Sequence, residues 1–196
     1  MLHAGFYYTA DSLKARFTRE GNERLTAYCV KRGLRIRRCG KLVVARNAGD
    51  LAGLDELLRR ACVNGVPLDE VTAREAQEIE PRARTFERAL FSRSTSSVDP
   101  AEVVASLAQD ARDAGVIIRT GTAYVDHQGD HVRTSAGTIA AGYVVNAAGL
   151  YADDVSAMLG GEAFRIYACR GEYAELIPSK RSLVNGPVYP LPHAHG

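Results

Sequence analysis

The stretch from Asp99 to Asp154 constrains the fold more than any other part of the chain, because its local signals come in a definite order. Asp99-Pro100-Ala101-Glu102 supplies an N-cap, a proline at the first helical position and a glutamate at the third. A helix is expected from there to Ala114, with Gly115 as its stop. Val116-Ile117-Ile118-Arg119 reads as a buried strand. Two short strands are expected to flank the turn His127-Gln128-Gly129-Asp130. Thr138 leads into Tyr143-Val144-Val145-Asn146-Ala147-Ala148-Gly149, an apolar strand ending in small residues, and a helix starts near Tyr151. Helix, strand, hairpin, strand, helix is the order of an α/β nucleotide-binding layer with a small β-meander inserted.

The residues before Asp99 alternate between the same two periods. Ser12 to Arg32 predicts a helix with Leu13, Phe17, Leu25 and Tyr28 on one stripe and Gly33 as its stop. Arg35 to Arg38 is basic and half-alternating. Cys39 to Ala45 is β-branched and short, which predicts a strand, and Asp50 to Cys62 predicts a helix closed by Asn64-Gly65. Val66 to Val71 is expected to be extended. Thr72-Ala73-Arg74-Glu75 is a capping box that opens a short helix ending before Pro81. Ala89-Leu90-Phe91 predicts another strand.

Bulk properties exclude several classes. With 196 residues, 46% hydrophobic and 24% charged, the chain has the composition of a globular protein. Its net charge of +2 gives no electrostatic footprint for nucleic acid, and no nucleic-acid partner is expected. No apolar run reaches the roughly 18–20 residues needed to span a bilayer. Met1 to Tyr8 lacks the basic and leucine-rich regions of a signal peptide. Cys29, Cys39, Cys62 and Cys169 include no CxxC pair, so four free, mostly buried thiols in a reducing compartment are expected. The expected location is the cytoplasm, peripheral attachment to a membrane included.

Many catalytic signatures are missing. No two of the 18 glycines stand two apart, so there is no GxGxxG. There is no GxxxxGK[ST], HExxH or GxSxG either. His127 and His131 have the i,i+4 spacing of a helical metal site, but Gly129-Asp130 between them predicts a hairpin, and no metal is expected. His193-Ala194-His195 reads as a loop.

Three segments carry chemical potential, each with a plainer reading. Val144 to Asp154 ends a strand in Ala147-Ala148-Gly149, where a cofactor can approach bare backbone. The same residues suit a tight strand-to-helix turn with acidic residues in the first helical turn. His3-Ala4-Gly5-Phe6-Tyr7-Tyr8, followed by Ser12-Leu13-Lys14-Ala15, suits a polar pocket, or equally tyrosines packed on a helix. Arg170-Gly171-Glu172-Tyr173 suits a strand whose arginine clamps a carboxylate, or a strand with a surface ion pair.

Taken in order, and together with Gly40-Lys41-Leu42-Val43-Val44-Ala45, Ser97-Val98-Asp99-Pro100 and Tyr189-Pro190-Leu191-Pro192, these motifs resemble one family. It is the L-2-hydroxyglutarate dehydrogenase/oxidase branch of the FAD-dependent D-amino-acid-oxidase-like superfamily. The resemblance covers essentially the whole chain. It implies an α/β fold in which a partial FAD-binding, Rossmann-like layer is interleaved with an antiparallel substrate-domain sheet. Residues 1–36 and 97–163 are then FAD-domain pieces, and residues 37–96 and 164–196 substrate-domain pieces. The implied reaction is oxidation of a small 2-hydroxy acid to the 2-oxo acid by hydride transfer to FAD. The flavin is then reoxidised by oxygen or a membrane electron carrier.

The resemblance also implies roles. His3 is the candidate base. Tyr8, Lys14, Arg170 and Tyr173 are candidate substrate-binding residues, with Arg170 clamping a carboxylate. Ala147, Ala148 and Gly149 are expected to pack against the phosphate–ribose side of FAD, and Tyr124 falls near the adenine. The family's GxGxxG strand–helix start and its C-terminal cofactor-contacting part have no counterpart in this sequence. A truncated portion of such an enzyme is therefore expected. The alternative is a non-catalytic truncated remnant or binding domain of the same fold.

Overall fold

A computed structural model describes residues 1–192. His193-Ala194-His195 lies outside the described residues. The chain divides into two compact units: residues 1–111 together with the segment from Leu176, and residues 112–175.

In the first unit, Ser12 caps helix α1 (Leu13–Lys31) by accepting a hydrogen bond from the Ala15 N–H at 3.1 Å. Gly33, with φ +65°, ends it as expected. Short strand β1 (Ile36–Arg37) precedes β2 (Lys41–Val44), helix α2 (Leu51–Val63) and β3 (Asp69–Thr72). The Thr72/Glu75 capping box is formed in full and starts α3 (Ala73–Ile79). Strands β4 (Arg88–Ser92) and β5 (Ser97–Val98) follow, then helix α4 (Pro100–Asp113), whose first turn is capped by Asp99 accepting from the Ala101 N–H at 2.9 Å.

In the second unit, β6 (Tyr124–Gln128), β7 (His131–Thr134) and β8 (Gly137–Ala140) form the expected antiparallel meander, with Gln128 paired to His131 across the turn. Helix α5 (Ala152–Met158) follows. The chain then returns to the first unit as β9 (Val188–Pro190).

The main sheet of the first unit has the order β3-β4-β2-β9. β9 runs parallel to β2, and the other neighbours are antiparallel. Both faces of this sheet are covered. Val43 and Ala45 pack with Phe6, Leu54, Leu57 and Ala61 on one face, and Leu42 and Val44 with Val71, Ala76 and Ala89 on the other. Strand side chains alternate between faces. Lys41 therefore belongs to the Val43/Ala45 face, where Phe6 is buried.

Several expectations fail for identifiable reasons. Leu13 and Phe17 are exposed, and α1 buries Ala15 and Cys29 instead. The helix docks through small residues because Gly5, at φ +101°, brings the N-terminal backbone close. A Cβ at Gly5 would stand 3.3 Å from the Ala15 carbonyl oxygen. Val116–Arg119 and Tyr143–Gly149 are not strands, and Arg170 does not start one. Ile117 is 79% exposed and Val145 86%. A strand needs a ladder partner to satisfy its backbone, and among the described residues these segments have none. The thiols are all free, but only Cys29 is buried; Cys39 is half-buried, and Cys62 and Cys169 are exposed.

Candidate functional site

The N-terminal segment is held along its length by side chains from the helices. Leu2 pairs with Ser96 as an isolated antiparallel bridge. The Asn22 amide donates to the Leu2 carbonyl at 3.1 Å. Asn64, just past the end of α2, donates to the carbonyls of Gly5 (3.2 Å) and Tyr8 (3.0 Å). Arg60 donates to the Tyr7 carbonyl at 3.0 Å. A segment without ladder or helix of its own is thereby given fixed backbone partners.

So held, it presents His3, Tyr7 and Tyr8 to a cavity of about 660 Å³. Gly53, Glu56, Leu57 and Arg60 of α2 form another side, and Tyr189 to Pro192 close it. Gly53 matters here because a Cβ would run into the Leu191 side chain. Lys14 reaches back from α1, its ammonium 4.9 Å from the centre of the Tyr8 ring.

Behind this cavity lies Lys41, only 1% exposed. Its nitrogen sits among three aromatic rings: Tyr7 at 4.2 Å, Phe6 at 4.7 Å and Tyr189 at 5.2 Å from the ring centres. Cation–π attraction accounts for the company. Among the described residues, neither the Lys41 ammonium nor the buried Tyr7 hydroxyl has a hydrogen-bond partner. Burial pulls Lys41 down from its usual 10.5 to about 8. Burial, with Tyr189 adding to it, raises Tyr7. His3 is lowered, first by burial and then by the positive charges of Lys41 and the amino terminus. By contrast, Arg60 is charge-matched: it donates to Glu56 at 2.7 Å. Hydrogen bonds from Arg59 and Arg60 hold Glu56 well below the usual carboxylate range.

Of the residues singled out from sequence, His3 and Tyr8 share this cavity, and Lys14 touches Tyr8. Lys41, Arg60 and Tyr189 were not singled out as site residues. Lys41 had a legible signal: one lysine within an otherwise apolar strand, Gly40 to Ala45. Arg60 had none, since it occupies an ordinary position on an amphipathic helix.

The remaining candidates lie in the second unit. Ala147, Ala148 and Gly149 form a turn closed by Asn146, which donates to the Ala152 carbonyl at 2.7 Å and accepts from the Ala148 N–H at 3.2 Å. Gly149 has φ +59°, and nothing lies within 4 Å of where its Cβ would be. This bare, open backbone fits one edge of a flavin nucleotide. The glycine-rich pyrophosphate cradle is not in the sequence. Tyr124 stands on β6 with its hydroxyl 3.2 Å from His127 Nδ1. Arg170 and Tyr173 are exposed, and the Tyr173 ring folds back over Gly171. No helix is long and apolar enough to cross a membrane among the described residues.

Comparison with known proteins places this geometry. Residues 1–196 match the DAO family, described as FAD dependent oxidoreductase. The L-2-hydroxyglutarate dehydrogenase of Escherichia coli K12 is 33% identical over 198 residues, covering 98% of this chain and 47% of that protein. The mitochondrial L-2-hydroxyglutarate dehydrogenase of Homo sapiens is 32% identical over 210 residues, covering 98% and 45%. The chain thus spans about half the length of the curated relatives it matches. Among solved structures, FAD-bound L-alpha-glycerophosphate oxidase from Mycoplasma pneumoniae superposes with a TM-score of 0.80 at 21% identity, over 100% of this chain and 54% of that one. Glycine oxidase from Geobacillus kaustophilus gives 0.69 at 25% identity, over 81% and 46%. These likenesses show a shared fold, with the Rossmann-like character expected from the sequence.

Proposed function

Because the chain belongs to the DAO family of FAD-dependent oxidoreductases, we propose that it serves the oxidation of a small 2-hydroxy acid, of the L-2-hydroxyglutarate type, to the 2-oxo acid. The observation that carries this reading is the cavity in which His3 and Tyr8 meet Arg60 and Tyr189. Relatives named for that substrate support it across 98% of the chain.

When bound, FAD supplies the acceptor for the α-hydrogen and its electron pair. Everything else falls to the protein. His3, whose charged form is disfavoured by partial burial and nearby positive charge, accepts the hydroxyl proton as a general base. Tyr8 lines the pocket, and Lys14 steadies its ring. Arg170 and Tyr173 are assigned to a substrate carboxylate. Ala147, Ala148 and Gly149 are assigned to the phosphate–ribose side of FAD, and Tyr124 to the adenine side. In this scheme residues 1–36 and 97–163 belong to the flavin layer, and residues 37–96 and 164–196 to the substrate layer. Oxygen or a membrane electron carrier is the final acceptor, and the cytoplasm, at or near a membrane surface, is the place of action.

A second reading keeps the fold and drops the chemistry. On it, the chain is a binding domain of the same fold that does not catalyse. Anaerobic absorbance separates the two. Stoichiometric FAD uptake by the purified chain, with bleaching of the flavin bands by L-2-hydroxyglutarate, supports the oxidase reading. Bound flavin that is not bleached overturns the oxidase reading. Protein that takes up no FAD favours the second.

A further inference from the structure

The cavity region holds a positive charge that nothing in the described protein answers. Arg60 is matched by Glu56 at 2.7 Å, and His3 is held toward its neutral form. Lys41 alone of this group has only π-faces around it. Among the described residues, its buried ammonium donates to no oxygen, and the Tyr7 hydroxyl is also buried without a partner. An unpaired buried charge is costly, and leaving a buried donor unmade adds to that cost. Phe6 is fully buried and Tyr7 half-buried. Tyr189, on β9, is the most open of the three at 40% exposure and lines the cavity together with Tyr7. Tyr7 and Tyr189 line the cavity, and the Lys41 ammonium lies directly behind both rings.

We propose that Lys41 and the Tyr7 hydroxyl form the subsite for one substrate carboxylate, entered past the Tyr189 ring. Identifying the carboxylate as the substrate's rests on the function proposed above. Carboxylate is the class that fits, because it takes a point charge on one oxygen and a hydroxyl donor on the other. The subsite lies wholly within the first unit and does not draw on Arg170.

The test is calorimetric titration of the purified full chain with glutarate, a dicarboxylate with no hydroxyl to oxidise. Glutaramide serves as the uncharged isostere. Tyrosine emission gives a second signal, since the sequence has no tryptophan to mask it. Wild-type protein is expected to bind glutarate and ignore glutaramide. Lys41→Met is expected to weaken glutarate binding at least tenfold while the thermal midpoint stays level or rises. Lys41→Arg is expected to recover part of the affinity. Tyr7→Phe, which removes one hydroxyl and leaves the ring in place, is expected to weaken binding several-fold and decides the matter should Lys41→Met fold poorly. Wild-type protein that does not bind glutarate, or a folded Lys41→Met with unchanged affinity, overturns the subsite. The two proposals fail separately. Flavin bleaching with no dependence of glutarate binding on Lys41 removes the subsite alone. Lys41-dependent binding without bleaching removes the oxidase reading alone.

Discussion

The Lys41 ammonium lies 4.2 Å from the centre of the Tyr7 ring, and among the described residues neither it nor the Tyr7 hydroxyl is hydrogen-bonded. Two polar groups are therefore buried side by side without satisfying each other. Their opposite pKa shifts make the pair visible in solution.

Stability is expected to rise with pH from about 8, where Lys41 titrates in the folded chain, toward its usual 10.5. In that window the unfolded chain holds a proton that the folded one has lost, so raising the pH favours folding. A shift of this size corresponds to about 3 kcal/mol at most. Tyr7 acts in the opposite sense. Its raised pKa means that stability falls as the unfolded tyrosine ionises, at about pH 10 and above. Urea unfolding across pH 7–11 is expected to show a maximum near pH 10, and Lys41→Met to abolish the rise between 8 and 10. A rise that persists in Lys41→Met assigns it to another group.

His3 is expected to titrate below the usual histidine value, because burial and then Lys41 oppose its charged form. Folded protein therefore resists protonation there, and this contribution to stability is lost as the pH falls below about 6.5. The His3 ring protons followed by NMR should show the low midpoint, and it should move upward in Lys41→Met. A midpoint that ignores Lys41 leaves burial and the amino terminus as the causes.

Gly40→Ala and Gly53→Ala are expected to part company. Gly40 has φ +65°, and a Cβ there would overlap the ring of Phe91. Backbone strain plus overpacking should cost about 2–4 kcal/mol, read by denaturant unfolding. At Gly53 the Cβ meets only the movable end of Leu191, and alanine favours the helix by about 1 kcal/mol. Stability should hold while the cavity narrows, so glutarate affinity should drop. Equal destabilisation by both would refute the distinction.

Asn64→Leu should cost about 1–3 kcal/mol, because the carbonyls of Gly5 and Tyr8 lose a buried donor. Hydrogen exchange should rise at residues 3–8 before the rest of α2 responds. Uniform loss of protection would show that Asn64 matters to the whole unit and not to this segment.

Local chemistry was readable wherever the backbone satisfies itself. The helix start at Ser12, the Thr72/Glu75 box, the Asp99-Pro100 start and the turn between His127 and His131 all formed as expected, since each needs residues only a few positions apart. Val116–Arg119 and Tyr143–Gly149 did not form strands, because a strand depends on a neighbour that composition does not supply. Leu13 and Phe17, the first half of the α1 stripe, misled for a related reason: what a helix buries depends on what packs against it, and Gly5 brings backbone onto Ala15.

By itself the sequence determined the family, through the order of its motifs, and the helices and turns, through short-range capping and backbone preference. It also placed His3 and Tyr8 in one segment. Tertiary structure alone decided that Lys41 faces Phe6, Tyr7 and Tyr189, residues drawn from the N-terminal segment and from β9. Side-chain alternation on β2 chose the face, but only the parallel pairing of β9 with β2 brought the third ring over the ammonium. A charge's burial and company are set by segments far apart in the chain, and no local pattern encodes them.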